Sequence, residues 1–168
     1  SVNEFVAWAR GFTSRLDVLV NNAGGAKGLD TVAEGKDEDW EFMMQTNVLG
    51  VLRVTRAMLP LLVNNPGSSI INIGSIAGHE VYPGGNVYCA TKFAVDALTR
   101  GLRHDLVDTP LRVCTVDPGL AETEFSMVRF RGNEERAKTV YQNLAPLTGE
   151  DVAETVLFCA TRPPHVQI

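Results

Sequence analysis

Long hydrophobic runs are missing from this sequence: none approaches the roughly 20 apolar residues a membrane-crossing helix needs, and its first residues do not read as a charged-then-apolar leader. Cysteine is scarce. The three present, Cys89, Cys114 and Cys159, lie in apolar surroundings at no metal-like spacing, which argues against a disulfide framework or a zinc site and for buried thiols in a reducing compartment. Only Cys89 adjoins a residue of further interest, Tyr88. Histidine is equally sparse, and His79 and His104 have no partner at ligand or triad spacing, so no metal is expected. Positive charge is not in excess. Lys+Arg of 15 against Asp+Glu of 20 gives a net charge of −5 with the basic residues scattered, which argues against a nucleic-acid partner. No repeat, low-complexity tract or linker interrupts the chain. What remains is an ordinary globular composition, 45% hydrophobic and 21% charged over 168 residues, expected of one soluble, cytoplasmic domain.

Val2, Phe5, Val6 and Ala9 form the stripe of an amphipathic helix ending near Gly11. The run Asp17-Val18-Leu19-Val20 reads as a buried parallel strand ending in the small-residue turn Asn21-Asn22-Ala23-Gly24-Gly25, where a ligand could approach the backbone closely or the chain could simply turn. A long helical pattern starts at Asp37, a candidate cap, with Trp40, Met43, Met44, Val48, Val51, Leu52 and Met58 on its apolar side. Asn47 lies inside that pattern, as a solvent-facing asparagine or a buried one needing partners. Pro60 and Asn64-Asn65-Pro66-Gly67 end it. Ser69 to Ile73 reads as a second strand and Ile76 to Gly85 as a glycine-rich loop. Asn86 is a candidate cap for a helix continuing through Val95, Leu98, Leu102 and Leu106. Leu111 to Val116 is a third strand, followed by Asp117-Pro118-Gly119. The charged segment from Glu122 to Gly132 is long enough to serve as a lid. Thr148-Gly149-Glu150-Asp151 has the spacing of a helix-start box, Pro163-Pro164 ends that helix, and Val166-Gln167-Ile168 looks like the start of a fourth strand.

Strand and helix alternate, which implies an α/β fold with parallel strands and crossover helices on both faces. Ligands bind beyond the carboxyl ends of such strands. Three small-residue segments fall there: Asn21 to Gly25, Gly74-Ser75 and Pro118-Gly119.

The chemistry concentrates between Ile70 and Lys92. Ser75 follows a strand, and Tyr88 and Lys92 stand four residues apart on one helical face. A free phenol has a pKa of about 10, and a nearby ammonium favours phenolate and lowers that value. A serine hydroxyl can hold a carbonyl oxygen where the phenol gives or takes a proton. A Tyr-x-x-x-Lys spacing alone arises by chance in many helices; its value lies in the company of the other segments.

Together these residues resemble the classical short-chain dehydrogenase/reductase family over nearly the whole chain. Asn21-Asn22-Ala23-Gly24 is similar to its Asn-Asn-Ala-Gly turn, Asn47 to its helix asparagine, Ser75 to its serine, Tyr88 and Lys92 to its Tyr-x-x-x-Lys pair, and Pro118-Gly119-x-x-x-Thr123 to its nicotinamide-side loop. The resemblance implies that Tyr88 is the general acid/base, that Ser75 holds the substrate oxygen, and that Lys92 lowers the tyrosine pKa and holds the nicotinamide ribose. It implies that Asn47 anchors a relay water and that Asn22, Ala23, Gly24, Pro118, Gly119 and Thr123 line the cofactor. For Asn47 this reading displaces the solvent-facing one. Tyr82 to Tyr88 and Thr123 to Phe130 resemble the branch of NADP-dependent dehydrogenases of serine and other 3-hydroxy acids. Such a substrate would want a bidentate cation for its carboxylate, and Arg129 in the lid-like segment is the candidate.

The family's opening strand and Gly-x-x-x-Gly-x-Gly turn are not among these residues, nor are the positions that choose between NADP and NAD. The expectation is therefore a doubly wound (Rossmann-like) sheet present from about its fourth strand onward, in a single incomplete domain over 1–168 carrying the catalytic half of a longer enzyme. That enzyme is expected to be a cytoplasmic homo-tetramer transferring a hydride between NADP(H) and a small hydroxy acid or alcohol. The 168 residues alone are expected neither to bind NADPH nor to stay monomeric. The alternatives are a related epimerase or dehydratase, and a truncated assembly module without cofactor.

Overall fold

The computed structural model describes residues 2–168. Helix α1 (Val2–Phe12) leads into strand β1 (Val18–Asn21). The long helical pattern is one continuous rod in three parts: α2 (Asp37–Met43), a wider π-helical stretch (Met44–Gly50) and α3 (Val51–Leu62). Strand β2 (Ser69–Ile73), a single 3₁₀ turn (Ile76–Gly78), helix α4 (Asn86–Asp105) and strand β3 (Arg112–Val116) follow. Two short helices, α5 (Phe125–Arg129) and α6 (Glu134–Thr139), occupy the charged segment, and α7 (Gly149–Ala160) closes the order.

The strands pair in parallel in the order β1-β2-β3, with Leu19 opposite Ile70 and Ile70 opposite Val113. Side chains alternate across a strand, so each face of the sheet takes every second residue. Ile70 and Val113 join Val6, Met58, Leu62 and Leu106 in the core under α1, α3 and α4. Ile71, Cys114 and Val116 face the other way and pack with Cys159 of α7. Helices thus cover both faces, as the doubly wound reading requires.

Local chemistry decides the boundaries. Thr148 accepts from the Asp151 N–H while Asp151 accepts from the Thr148 N–H, which closes the capping box at the start of α7. These bonds hold the Asp151 carboxyl below the usual carboxylate range. Two expected caps are corrected. Asp37 and Asn86 are the first helical residues, and Lys36 and Gly85 take the cap positions without a side-chain bond. Asp37 with Glu38 and Asp39 instead places three carboxylates in the first turn of α2, where the exposed N–H groups favour negative charge.

The fourth strand is also corrected. Val166–Ile168 forms no ladder with β3, because side chains intervene: Arg103 donates to the Ile168 carbonyl, Arg112 to the Val166 carbonyl and Gln167 to the Val113 carbonyl. All three cysteines are free and buried, as their setting suggested.

Candidate active site

The rim at the carboxyl ends of the strands is pinned from below by a buried polar chain. Asn21 at the end of β1 donates to Thr55 Oγ1 on α3 at 3.0 Å and to Asn72 Oδ1 on β2 at 2.8 Å. Asn72 donates to Thr99 Oγ1 on α4 at 2.8 Å. Buried amides left unpaired would each cost on the order of 1–3 kcal/mol, so this chain fixes the helices relative to the strand ends. Above it Asn22, Ala23 and Gly24 emerge exposed.

Asn47 sits in the π-helical stretch and is 2% exposed, the buried asparagine with satisfied partners rather than the solvent-facing one. Its Oδ1 accepts from the Gly25 N–H at 2.9 Å, and its Nδ2 donates to the Gly25 carbonyl at 2.9 Å and to Thr91 Oγ1 at 3.0 Å. Thr91 in turn donates to the Tyr88 carbonyl at 2.7 Å. One amide therefore joins the β1 rim loop to the turn of α4 that carries the tyrosine. Wide turns inside α-helices are frequent at functional sites, and here the wide stretch carries the residue that makes this joint.

Ser75 precedes the 3₁₀ turn, accepting from the Ala77 N–H at 3.1 Å and donating to the Pro118 carbonyl at 3.4 Å. A Cβ at the preceding Gly74 would overlap Oδ1 of Asp117, so a larger residue there would push the Asp117 carboxylate aside. Asp117 also accepts from Thr115 Oγ1 at 2.9 Å and lies 3.3 Å from His79 Nε2.

Tyr88 and Lys92 project from successive turns of α4 and are 9% and 8% exposed. Lys92 Nζ donates to the Ile73 carbonyl at 2.8 Å and lies 5.8 Å from the centre of the Tyr88 ring. The Phe125 ring lies tilted against it at 5.5 Å between centres, and the Arg129 guanidinium lies 5.7 Å from the centre of the Tyr88 ring. Arg129 Nε donates to the Gly28 carbonyl and Nη1 to the Tyr82 hydroxyl, each at 2.9 Å. Ser75, Tyr88, Lys92, Asn47 and Arg129 are thus gathered around one part of the rim.

Here the expected acidification of the phenol is corrected. Burial pushes Tyr88 up to about 12, against the opposing pull of the Ser75 hydroxyl and the Arg129 guanidinium. Burial also pushes Lys92 down to about 8, with Asp117 opposing. Both shifts disfavour the charged form, as low-dielectric surroundings do, and the cation that pulls on Tyr88 is Arg129. At neutral pH the phenol is protonated and the lysine mostly cationic, a combination suited to giving a proton to an oxygen near Ser75.

The residues present fit one end of a dinucleotide. Among the described residues Lys92 uses one of its three ammonium donors, and the exposed Asn22–Gly24 and the half-buried Pro118 and exposed Gly119 offer backbone at the same strand ends. Thr123, also exposed, uses its hydroxyl to accept from the Phe125 N–H at 3.2 Å. A cavity of about 20 Å³, room for about one water, lies beside Tyr88 and is lined by Gly28, Trp40, Met43, Asn86 and Arg129. Ser75 and Lys92 do not line it, so it is not where a reacting carbon would sit.

Gly28, Asp39, Thr91, Asp117, Arg131 and Tyr82 join the site without any role that residue type or spacing gives them. These act through contacts between distant segments. The signals available were weak ones: a run of acids at a helix start for Asp39, and an Arg-Gly pair after a helix for Arg131.

A family profile described as short chain dehydrogenase matches residues 1–134. The chain belongs to the short-chain dehydrogenase family. Among its relatives within that family, an NADP-dependent 3-hydroxy acid dehydrogenase of Schizosaccharomyces pombe is 50% identical over 153 residues, covering 91% of this chain and 59% of the relative. The NADP-dependent 3-hydroxy acid dehydrogenase YdfG of Escherichia coli strain K12 is 46% identical over 169 residues, covering 100% of this chain and 68% of the relative. Among solved structures, the closed form of a serine dehydrogenase complexed with NADP+ superposes with a TM-score of 0.92 at 45% identity, over 99% of this chain and 68% of that one. The short-chain dehydrogenase chain described here therefore spans about three fifths to two thirds of the length of these relatives.

Proposed function

We propose that these residues form the catalytic half of an NADP-dependent oxidoreductase that interconverts a hydroxyl and a carbonyl on serine or a related 3-hydroxy acid. The single observation that carries this reading is the grouping of Ser75, Tyr88, Lys92 and Arg129 at one strand rim. The relatives' names support NADP and a hydroxy acid. The cofactor, when bound, supplies the hydride acceptor or donor.

In this reading Ser75 donates a hydrogen bond to the substrate oxygen. Tyr88, protonated at neutral pH, gives its phenolic proton to that oxygen during reduction and is left as phenolate; oxidation runs from that phenolate, which takes the proton of the substrate hydroxyl. Lys92 stays on the Ile73 carbonyl and offers its two remaining donors to the ribose. Both amide hydrogens of Asn47 are committed, so a relay water would bond to its backbone carbonyl or its spare Oδ1 lone pair. Asn22, Ala23, Gly24, Pro118, Gly119 and Thr123 would line the cofactor. Arg129 keeps its second terminal nitrogen for the substrate carboxylate among the described residues. Phe42, Met44 and Leu52 on the long rod and Phe93 on α4 are exposed, which supports pairing of these helices in a homo-tetramer.

The test is a product assay with the intact protein, NADP+ and L-serine or 3-hydroxypropanoate, alongside Tyr88→Phe. Carbonyl product with stoichiometric NADPH, and a kcat lowered by about 10³ in Tyr88→Phe, is the expected result. An inverted or dehydrated product without net NADPH would assign the site to an epimerase or dehydratase instead.

A further inference from the structure

The segment after Thr123 does not hang free over the rim; it is fastened to the loop that follows β1. Gly28 N–H donates to the Arg129 carbonyl at 3.1 Å while Arg129 Nε donates to the Gly28 carbonyl at 2.9 Å, a two-way clasp between residues 101 apart. Lys27 Nζ reaches the Val128 carbonyl at 3.5 Å. Beyond the clasp, Arg131 Nη2 bonds to Asp39 Oδ1 at 2.8 Å and Oδ2 at 2.6 Å. Asp39 is 7% exposed and sits in the first turn of α2, so the guanidinium is the partner that answers a buried carboxylate.

The backbone gives a second, independent indication. Arg131 has φ 55° and Gly132 φ 84°, so the turn that ends α5 runs through two left-handed residues. Gly132 N–H closes it on the Met127 carbonyl at 2.8 Å. Helix ends of this kind favour glycine at the first left-handed position, and a residue with a Cβ there costs roughly 1–2 kcal/mol. Arginine stands where glycine would be easier, and its side chain makes the two bonds to Asp39 on α2.

We propose that the Arg131–Asp39 pair is a latch that holds the end of α5 against the start of α2 and the loop leading into it from Gly28, and thereby fixes Arg129 beside Tyr88 for recognition of a carboxylate substrate. Arg131 and Asp39 are positioning residues in this scheme, since neither touches Tyr88 or Ser75. Arg129 is held by the Gly28 carbonyl and the Tyr82 hydroxyl, and Gly28 lies on the loop that the latch secures. The inference rests on the function proposed above for Arg129.

The experiment compares the intact protein with Asp39→Asn and Arg131→Gly, the second of which keeps the turn and relieves its φ. Amide exchange at Gly28 is read first, then KM and kcat for 3-hydroxypropanoate and for an uncharged secondary alcohol. Exchange at Gly28 about tenfold faster in both variants, KM for the acid up about tenfold, kcat within about twofold and KM for the alcohol nearly unchanged are expected. Unchanged Gly28 exchange in Asp39→Asn overturns the latch whether or not any substrate is turned over. Equal KM changes for acid and alcohol overturn its role in recognition. Faster exchange in a protein that oxidises neither substrate supports the latch and counts against the proposed reaction alone.

Discussion

The Asn47 side chain closes on Gly25 from both ends, accepting from its N–H and donating to its carbonyl at 2.9 Å each. A mid-helix asparagine is tolerated because the rim loop needs what a backbone strand would otherwise supply. Asn47→Ala leaves the Gly25 N–H, the Gly25 carbonyl and Thr91 without this partner. Each unmade buried bond costs on the order of 1 kcal/mol, so urea unfolding should register a loss of about 3 kcal/mol. Asn47→Asp keeps the bond to the N–H but turns a carboxylate oxygen toward the Gly25 carbonyl, and should lose at least as much. A loss under about 0.5 kcal/mol in both would show that the joint is not formed.

Burial of Lys92 makes a prediction about pH. Its folded value is about 8 against an ordinary 10.5, so below pH 8 the fold carries the full cost of a buried ammonium, about 3 kcal/mol. Between 8 and 10.5 the folded state loses the proton before the unfolded state does, and stability rises with pH. Tyr88 acts oppositely, with its folded value raised to about 12, but only above 10. Relative to Lys92→Met, the parent protein should therefore gain about 2 kcal/mol between pH 7.0 and 9.5 by denaturant titration. A constant difference across that range would mean that Lys92 keeps its ordinary value.

The candidate site was legible wherever its residues are spaced along one element. Tyr88 and Lys92 share a helix face, Ser75 follows β2 directly, and Asn47 was marked by being a polar residue in an apolar pattern. The Arg131–Asp39 pair was not legible, because it joins residues 92 apart through a turn whose handedness the residue types alone do not give. The direction of the Tyr88 shift was misread for a related reason. Spacing places the ammonium nearby but says nothing of how deeply the phenol is buried, and burial is the larger cause. The alternation of β2 and β3 predicted the two-faced core, whereas Val166–Ile168 has strand-like residues but finds its β3 contacts occupied by side chains.

Arg129 beside Tyr88 predicts a substrate preference rather than a general effect on rate. Arg129→Ala removes the charge that a carboxylate would meet, along with the bonds to Gly28 and Tyr82. In the intact protein KM for a 3-hydroxy acid should rise about 30-fold or more, and KM for an uncharged alcohol by no more than about threefold. Equal rises would make Arg129 a structural tie between α5 and the loop and nothing further.

Residues 1–168 expressed alone should neither bind NADPH measurably nor remain monomeric. β1 is the outer strand of the sheet described here, and Val18 and Val20 on it are each 39% exposed. On the neighbouring helix Phe5, Trp8 and Phe12 form an exposed row of touching rings, Phe5 stacked on Trp8 and Trp8 tilted against Phe12, with Trp8 61% and Phe12 75% accessible. An unpaired strand edge and an apolar row side by side favour association. On the cofactor side, the rim offers Lys92 and the Asn22–Gly24 turn to a nicotinamide ribose, while the family's glycine-rich turn for a pyrophosphate is not among these residues. Sedimentation should therefore give a mass above 18.3 kDa, and calorimetry no saturable heat with NADPH up to millimolar concentration. Micromolar binding by this chain would mean that the rim described here holds the dinucleotide without that turn.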